Sequence, residues 1–552
     1  MHDVKKTVSR QLSRRDTLKL SGLALGGLAL GGGPTSPQGK GANADKTGGK
    51  GRGQCEVGDC YPTSYKTNAY TYFDRLPPFD PLTPLDPDEM RISFMGSMVP
   101  PNYRAQEMMS IFVQVGNAKG QPDQAVFDCG SGVCSNYNAM GVGWGQMNKL
   151  FISHLHGDHM SDISYIYQSG PQADRKLPLF VFGPAASGFH WQDPDGNYPY
   201  GNPTELRGDY DDGTRTFCEM LRAMLRWQSE GFCFQGTGVK TDSNRYHTPE
   251  ELQALWGLKE LPVPVMDPRA RWERRYRQDH YKDAFNDGYA IVPVELPHNL
   301  VGAVAYNNRD TGLKISHFPV IHTRRGSIGF KVEWNGLSMI YTSDTKPEYN
   351  SIDQANNVDP GTGSARGVDV FIHEMAVPPE IWAMKIMGLS APGEGVDPAT
   401  WQATVDWTKR VQDSSHTPQG AFGYLLSQIR KRPRLTVPTH FPATDDTVAC
   451  ALKSVQAHVH DIGRLGEQIV WSYDLMVLRV YKDRILQHRA DVSDYSMVSH
   501  SEAIPADEQT VPKYWQYDNQ GHMVSDPTAQ IDPTYEIPRV EDGTENWRDD
   551  GY

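Results

Sequence analysis

"FISHLHGDHMSDI", residues 151–163, is the stretch on which the reading of this chain turns. Three histidines and two aspartates fall within nine positions, His154 to Asp162, directly after an apolar segment. A divalent ion at a hydrolytic site needs several imidazole and carboxylate ligands and an open position for water. On a helix, residues two apart such as His154 and His156 point away from each other. At a strand end, alternate residues share a side, and a close turn at Gly157 folds the next pair around. The spacing therefore fits one loop that offers His154 and His156 to one metal and Asp158 and His159 to a second. Asp162 has two readings. It orients a ligand imidazole, or it caps the helix that follows; an aspartate in this place more often does the second.

Around this loop the pattern is that of strands. "RISFMGSMVP" from residue 91, "SIFVQVG" and "QAVFDCGSG" precede it, and "LFVFGP" at 179–184 follows. Between about 187 and 300 the periodicity degrades, with helices expected around 214–228, 248–257 and 268–285, so this stretch reads as an insertion. The strand rhythm resumes with "LKISHFPVIH", "SIGFKVEW", "LSMIYTSDT" and "VDVFIHEM". A helical stretch, "TPQGAFGYLLSQIRK", then leads to "RLTVPTHF", and a helix over 444–459 precedes "QIVWSYDLMVLRVYKD". Residues 45–90 read as an irregular arm, 91–490 as the main domain, and 491–552 as a polar, acidic tail.

Length and charge narrow the classes. A chain of 552 residues affords a sizeable core, in one large domain with insertions or in two to three smaller ones. Its net charge of -13 argues against broad nucleic-acid binding, which needs a cationic footprint, but allows a small anion on a local basic patch. In residues 1–44, Arg14–Arg15 stand before a glycine-diluted apolar run, Leu18 to Leu30, too short to span a bilayer, and "ANA" at 42–44 fits a cleavage site. This resembles a twin-arginine export signal. It implies passage through the twin-arginine machinery, a periplasmic or secreted location and no stable membrane anchor; the other reading is a flexible tail. Seven cysteines, at 55, 60, 129, 134, 218, 233 and 450, leave at least one thiol unpaired, and none is assigned to metal. Cys55–Cys60 is the first candidate disulfide.

The loop is H-x-H-x-D-H, and the chain resembles the metallo-β-lactamase superfamily along most of 91–480, in particular its ribonuclease Z and arylsulfatase-like branch. "ISFMGSMVPP", "VFDCGSG", "VIHTRRGSIGFKVE", "MIYTSDT", "FIHEM", "SSHTPQGA" and "VPTHF" follow in family order. The resemblance implies an αββα sandwich of two mixed sheets with helices outside, an α/β fold carrying a large insertion. It implies that His154, His156 and His322 hold one metal. Asp158, His159 and His440 hold a second, and Asp344 bridges. His322 is preferred over His317 and His298 because Gly329–Phe330 and a strand follow it at the family's spacing. Asp128 is expected to have a structural or supporting role.

Two divalent ions, zinc first with manganese or iron as alternatives, would lower the pKa of a shared water and polarise an ester oxygen. Asp158 would accept or steer the water's proton. His416 would protonate the leaving group, oriented by Glu374; the plainer reading of His416 is a residue bonded locally at a helix N-terminus. Arg324 and Arg325 either bind an anionic ester or form a solvated charge pair. The leading expectation is a dinuclear hydrolase of a small phosphate or sulfate ester. A lactonase or β-lactamase-like hydrolase and a non-catalytic binding protein are the alternatives, and an oligomer is left open. The 162 residues between His159 and His322, the export signal and the acidic charge argue against transfer RNA processing, so nucleic acid is not expected as a partner.

Overall fold

The computed structural model describes residues 76–100, 106–117, 122–171, 175, 178–188, 195–197, 212–226, 248–265, 289–443, 445–458, 469–492, 516–517 and 523–524. Within them the chain is an α/β protein of two mixed sheets with helices on their outer faces, and a two-stranded ribbon of Gln516–Tyr517 and Met523–Val524. The larger sheet is built from β1 (Pro78–Phe79), β2 (Met90–Gly96), β3 (Ser110–Val115), β4 (Asp123–Phe127), β5 (Lys149–Phe151), β6 (Leu179–Pro184) and β7 (Ile291–Leu296). The second holds β8 (Ala303–Asn307), β9 (Lys314–Pro319), β10 (Ile328–Trp334), β11 (Leu337–Tyr341), β12 (Val370–Glu374) and β13 (Leu435–Thr439). The chain then returns to the larger sheet as β14 (Met476–Val480) and β15 (Ile485–Ala490). Strand orders are β1-β15-β14-β2-β3-β4-β5-β6-β7 and β13-β12-β11-β10-β9-β8.

Period-two side chains explain the layering. Ile92, Phe94, Phe127, Phe180 and Phe182 point into one buried cluster with Phe330, Tyr341, Ile372 and Val437 of the second sheet. The ring centroids of Phe127 and Phe330 lie 5.4 Å apart, so the two sheets face each other directly. The intervening residues Met95, Val126, Leu179 and Val181 form the outer cluster. Helices α1 (Val133–Ala139), α2 (Gly157–Met160), α3 (Ile163–Ser169) and α4 (Thr214–Met224) follow along the chain. Val133 and Tyr137 of α1, Ile163 and Ile166 of α3, and Cys218 and Leu221 of α4 join the outer cluster.

Helix α5 (Pro249–Trp256) opens on a capping box between Thr248 and Glu251, and α6 (Tyr349–Asn356) follows β11. Helices α7 (Pro379–Ile386) and most of α8 (Pro398–Ser415) make a separate compact unit over residues 378–411, in which the Trp382 and Trp407 rings approach to 5.8 Å. Helix α9 (Gln419–Gln428) covers the outer face of the second sheet, where Phe422 meets His373 at 5.3 Å; α10 (Asp445–Ala457) packs with α9.

Several expected boundaries move. The helix expected to 228 ends at Met224, and that expected over 268–285 lies outside the described residues. Within the stretch read as an insertion, β7 pairs in parallel with β6 as an edge strand of the larger sheet. Within the stretch read as an arm, β1 pairs with β15. Among the described residues Cys129, Cys134 and Cys218 are free thiols, while Cys55, Cys60 and Cys233 lie outside them. No helix among the described residues is long and apolar enough to cross a membrane.

Candidate metal centre

Strand ends and the loops after them bring the donors together. β5 runs into His154 and His156, and α2 then presents Asp158 and His159. His322 lies after β9, Asp344 after β11, Glu374 at the end of β12 and His440 after β13. His416 directly follows α8. The larger sheet thus contributes His154, His156, Asp158 and His159, the second sheet contributes His322, Asp344, Glu374 and His440, and the end of α8 contributes His416.

The donors fall into sets whose ligand atoms lie within 4.8 Å of one another: His154, His156 and His322; Asp158, His159, Asp344 and His440; and His322, Asp344, Glu374 and His416. In the first set His154 Nε2 and His322 Nε2 stand 3.0 and 3.1 Å from His156 Nδ1. Nitrogens on a tetrahedral ion with bonds of about 2.0–2.1 Å are roughly 3.3 Å apart, so three converging imidazoles at this spacing fit one ion. In the second set Asp344 Oδ1 lies 3.3 Å from His159 Nε2, and both atoms are buried without a hydrogen-bond partner. Asp344 Oδ2 lies 3.5 Å from His440 Nε2 and 3.7 Å from His322 Nε2. One carboxylate therefore faces both sets, as a bridging ligand must. Two buried polar atoms this close whose geometry makes no hydrogen bond are what a bound cation would satisfy.

A second layer of hydrogen bonds turns the right nitrogens inward. Asp128, fully buried, accepts the His159 Nδ1 proton at 2.8 Å, the Tyr341 hydroxyl at 2.6 Å and the Ser153 backbone N–H at 2.8 Å. The Ser153 hydroxyl donates to Asp128 and accepts from His154 Nδ1 at 3.0 Å. His322 Nδ1 donates to the Ser415 carbonyl at 2.9 Å. Each of these bonds fixes a tautomer that leaves Nε2 as a lone pair for metal. Ser153, Tyr341 and Ser343 were not legible as part of this network, because hydroxyls far apart in sequence carry no local signal. Asp128, Ser343 and His440 all have positive φ, at 54°, 56° and 55°. Three strand exits in the left-handed region at one site are strained conformations held by their surroundings.

Charge divides the sets. Burial drives His154 far below and His156 below the usual histidine range, and His322 down to about 4, so the first set is three neutral imidazoles. In the second, burial opposes a charged His159, but Asp344, Asp158 and Asp128 outweigh it and hold the ring protonated. Burial likewise opposes charge on Asp158 and Asp344, and neighbouring imidazolium keeps both ionised. A proton on His159 among three carboxylates occupies the place a cation would take.

Beside the donors, His416 Nδ1 meets Glu374 Oε2 at 2.7 Å, and the other Glu374 oxygen accepts the Thr345 backbone N–H. Burial resists the imidazolium, yet Glu374, with Asp344 and Asp158 behind it, pushes His416 up to about 9. Burial first, then Asp344, raises Glu374, against the pull of His416.

Other expectations are modified. Gly157 has ordinary helical backbone, and an added Cβ would meet nothing nearer than Ser161 Oγ at 3.5 Å, so no glycine is demanded there. Asp162 stands before α3 but does not cap it; its carboxylate accepts the Cys134 N–H in the first turn of α1 at 3.0 Å. His317 is buried and donates from Nε2 to the Pro297 carbonyl at 2.9 Å, away from the donor sets. Arg324 is committed to Asp212, reaching its Oδ2 and its carbonyl at 2.5 Å each, and Arg325 is exposed. Asp212, from the stretch read as an insertion, is a tie to the His322 loop that the sequence did not show.

A two-sheet sandwich with seven histidine and aspartate donors gathered beyond its strand ends is the arrangement that the metallo-β-lactamase resemblance implies, and a segment of the sequence is similar to curated ribonucleases. No family model matches the chain. It is 32% identical over 89 residues to "Ribonuclease Z" of Treponema denticola, 16% of this chain and 27% of that protein. It is 37% identical over 97 residues to "Ribonuclease Z" of Halorubrum lacusprofundi, 17% of this chain and 29% of that protein. It is 30% identical over 95 residues to "Ribonuclease BN" of Salmonella paratyphi B, 17% and 31% respectively. The chain thus spans less than a third of the length of these curated relatives. Among solved structures it is similar to the metallo-β-lactamase fold protein YhfI from Bacillus subtilis, at 12% identity and a TM-score of 0.37 over 71% of this chain and 100% of that one. Human tRNase Z, short form, aligns at 14% identity and a TM-score of 0.31 over 70% of this chain and 98% of that one.

The relatives' names correct one expectation. They are ribonucleases, so the exclusion of nucleic acid as a partner does not stand. Net charge describes the whole surface, whereas a phosphodiester is met at one local field.

Proposed function

We propose that this chain is a metal-dependent hydrolase of phosphate esters, with a phosphodiester as the bond cut. The observation that carries the reading is the adjacency of two donor sets, His154, His156 and His322 beside Asp158, His159, Asp344 and His440, with Asp344 Oδ2 3.7 Å from His322 Nε2 and the His416–Glu374 pair beside them at 2.7 Å. Two divalent ions, zinc foremost, would supply Lewis acidity toward the ester and a water of lowered pKa. His154, His156 and His322 would hold one and Asp158, His159 and His440 the other, with Asp344 between them. Asp158, at the mouth of the second set, would take or steer the proton of the attacking water. His416, anchored by Glu374, would give a proton to the leaving oxygen. Arg324 is assigned to holding the insertion against the His322 loop, and the exposed Arg325 is assigned to an incoming anion.

The test combines metal content with an ester panel: an aryl phosphodiester, single-stranded RNA, an aryl sulfate and a lactone. About two ions per chain and phosphodiester turnover abolished by Asp344→Ala are expected. A metal-free active protein, or turnover indifferent to Asp344→Ala, overturns the reading; turnover confined to sulfate or lactone moves it to those esters. Export by the twin-arginine route is part of the same proposal, supported by Arg14–Arg15 and the run after them. Cell fractionation of the Arg14→Lys, Arg15→Lys double variant checks it, with retention in the cytoplasm expected.

A further inference from the structure

The second sheet has a cleft at the end remote from the metal donors. It is lined by the end of β10, the entries to β9, β11, β12 and β13, and the loops that join them, whereas the donors follow the other ends of β9, β11, β12 and β13. Strands of five residues separate the two ends by about 17 Å. The cleft encloses about 520 Å³, within the range of small-ligand sites.

Its charge is unlike that of the chain as a whole. Five cationic side chains line it against two carboxylates, in a protein of net charge -13. Three of the cations are already paired. Lys314 meets Glu333 at 3.0 Å, Arg434 meets Asp369 at 2.8 Å, and Arg366 pairs with Asp359 outside the cleft. Among the described residues Lys431 and Arg432 have no carboxylate partner, and Arg432 Nη1 is buried with no hydrogen-bond partner there. A desolvated guanidinium nitrogen without an acceptor costs stability unless something anionic satisfies it.

The chain holds these two cations in place. Pro433 follows Arg432, and the Arg430 N–H is bonded to the Asn356 side chain at 2.7 Å. The Lys431 stem lies across Gly367, whose φ is +74° and where an added Cβ would come within 3.1 Å of Lys431 Cγ. Lys331 behind the wall reports the local field: burial lowers its pKa, Glu333 opposes, and Lys314 and Arg366 depress it further.

We propose that this cleft binds a small phosphate-bearing anion, of the di- or triphosphate class, through Lys431 and Arg432. A compact polyanion matches a small cationic cleft, and fork-like guanidinium donors suit phosphate oxygens. Glu333 and Asp369 in the lining disfavour an extended nucleic-acid backbone, which would pass close to both.

The test is isothermal titration of the full chain with inorganic pyrophosphate at fixed ionic strength. His154→Ala serves to separate the cleft from the metal centre. One saturable site is expected that survives in His154→Ala and weakens about tenfold or more in Arg432→Gln and in Lys431→Gln. Lys431 is exposed, so its variant keeps the test alive should Arg432→Gln fail to fold. The inference is overturned by an absence of saturable heat, or by binding lost in His154→Ala but kept in both cleft variants. It is equally overturned if Arg484→Gln, an exposed cation paired with Asp483, weakens binding as much, or if only a single-stranded RNA oligonucleotide binds the cleft.

Discussion

Asp128 touches no substrate in the proposed reaction, yet it sets the orientation of His159 and, through Ser153, of His154. Asp128→Asn keeps the size and loses the charge, and its amide nitrogen cannot accept the His159 proton. Metal affinity is expected to fall roughly 10–100-fold, measured by competition with a chromophoric chelator. Unchanged affinity would mean the ligands orient themselves. His416 offers a second test, by pH. Its folded pKa of about 9 lies above an unfolded value of about 6.5. A raised pKa of this kind gives stability that is fully present below about 6.5 and is lost as pH climbs through about 9. The metal-free protein should therefore lose melting temperature between those values, and Glu374→Gln, which removes the main charge that raises His416, should shrink the loss. An equal loss in both proteins would place its origin elsewhere. At this scale the sequence was informative where chemistry is local: His154 to His159 declare themselves by spacing. Asp162 misled because its target helix, α1, precedes it in the chain. The partners of Asp128 were silent because Tyr341 and Ser343 arrive from the other sheet.

Between elements, the decisive contact is that of the turn after β4 with the metal loop. Cys129 N–H donates to the His159 carbonyl at 2.7 Å, and Asp162 N–H returns to the Cys129 carbonyl at 3.1 Å. Gly130 makes this approach workable, since an added Cβ would stand 2.1 Å from the Asp158 carbonyl oxygen. Gly130→Ala must push the loop outward, at a cost of about 1–3 kcal/mol in the unfolding free energy from urea titration, with metal lost from the Asp158 set first. Gly157→Ala, in the same loop but with open space around it, should be neutral or stabilise by up to about 1 kcal/mol. Equal costs at the two glycines would refute the argument. The strands were legible as elements because alternation is strong in them: Phe180 and Phe182 face one cluster, Leu179 and Val181 the other. Their pairing was not. Nothing local tells β14 to leave the second sheet and lie between β15 and β2, a choice made by the hydrophobic faces only once the sheets meet.

For the sandwich as a whole, the donors link two sheets. His154 and His156 come from the larger sheet and His322 from the second; Asp158 and His159 come from the larger and Asp344 and His440 from the second. Without cations, Asp128, Asp158, Asp344 and Glu374 lie around one edge with the His159 and His416 protons as the nearby positive charge. Ions bound across that edge would act on the folded state alone, because the unfolded chain does not bring the seven donors together. An ion at a free concentration a hundred times its dissociation constant adds about 2.7 kcal/mol, or roughly 3 °C in a domain of about 400 residues. Chelation should therefore lower the melting temperature by at least that amount, and added zinc should restore it. Asp344→Ala, which removes the carboxylate that lies between the two sets, should melt at the same temperature with and without chelator. A wild-type melting temperature indifferent to chelator would show that the aromatic contact of Phe127 and Phe151 with Phe330, at 5.4 and 5.9 Å, joins the sheets without help from metal.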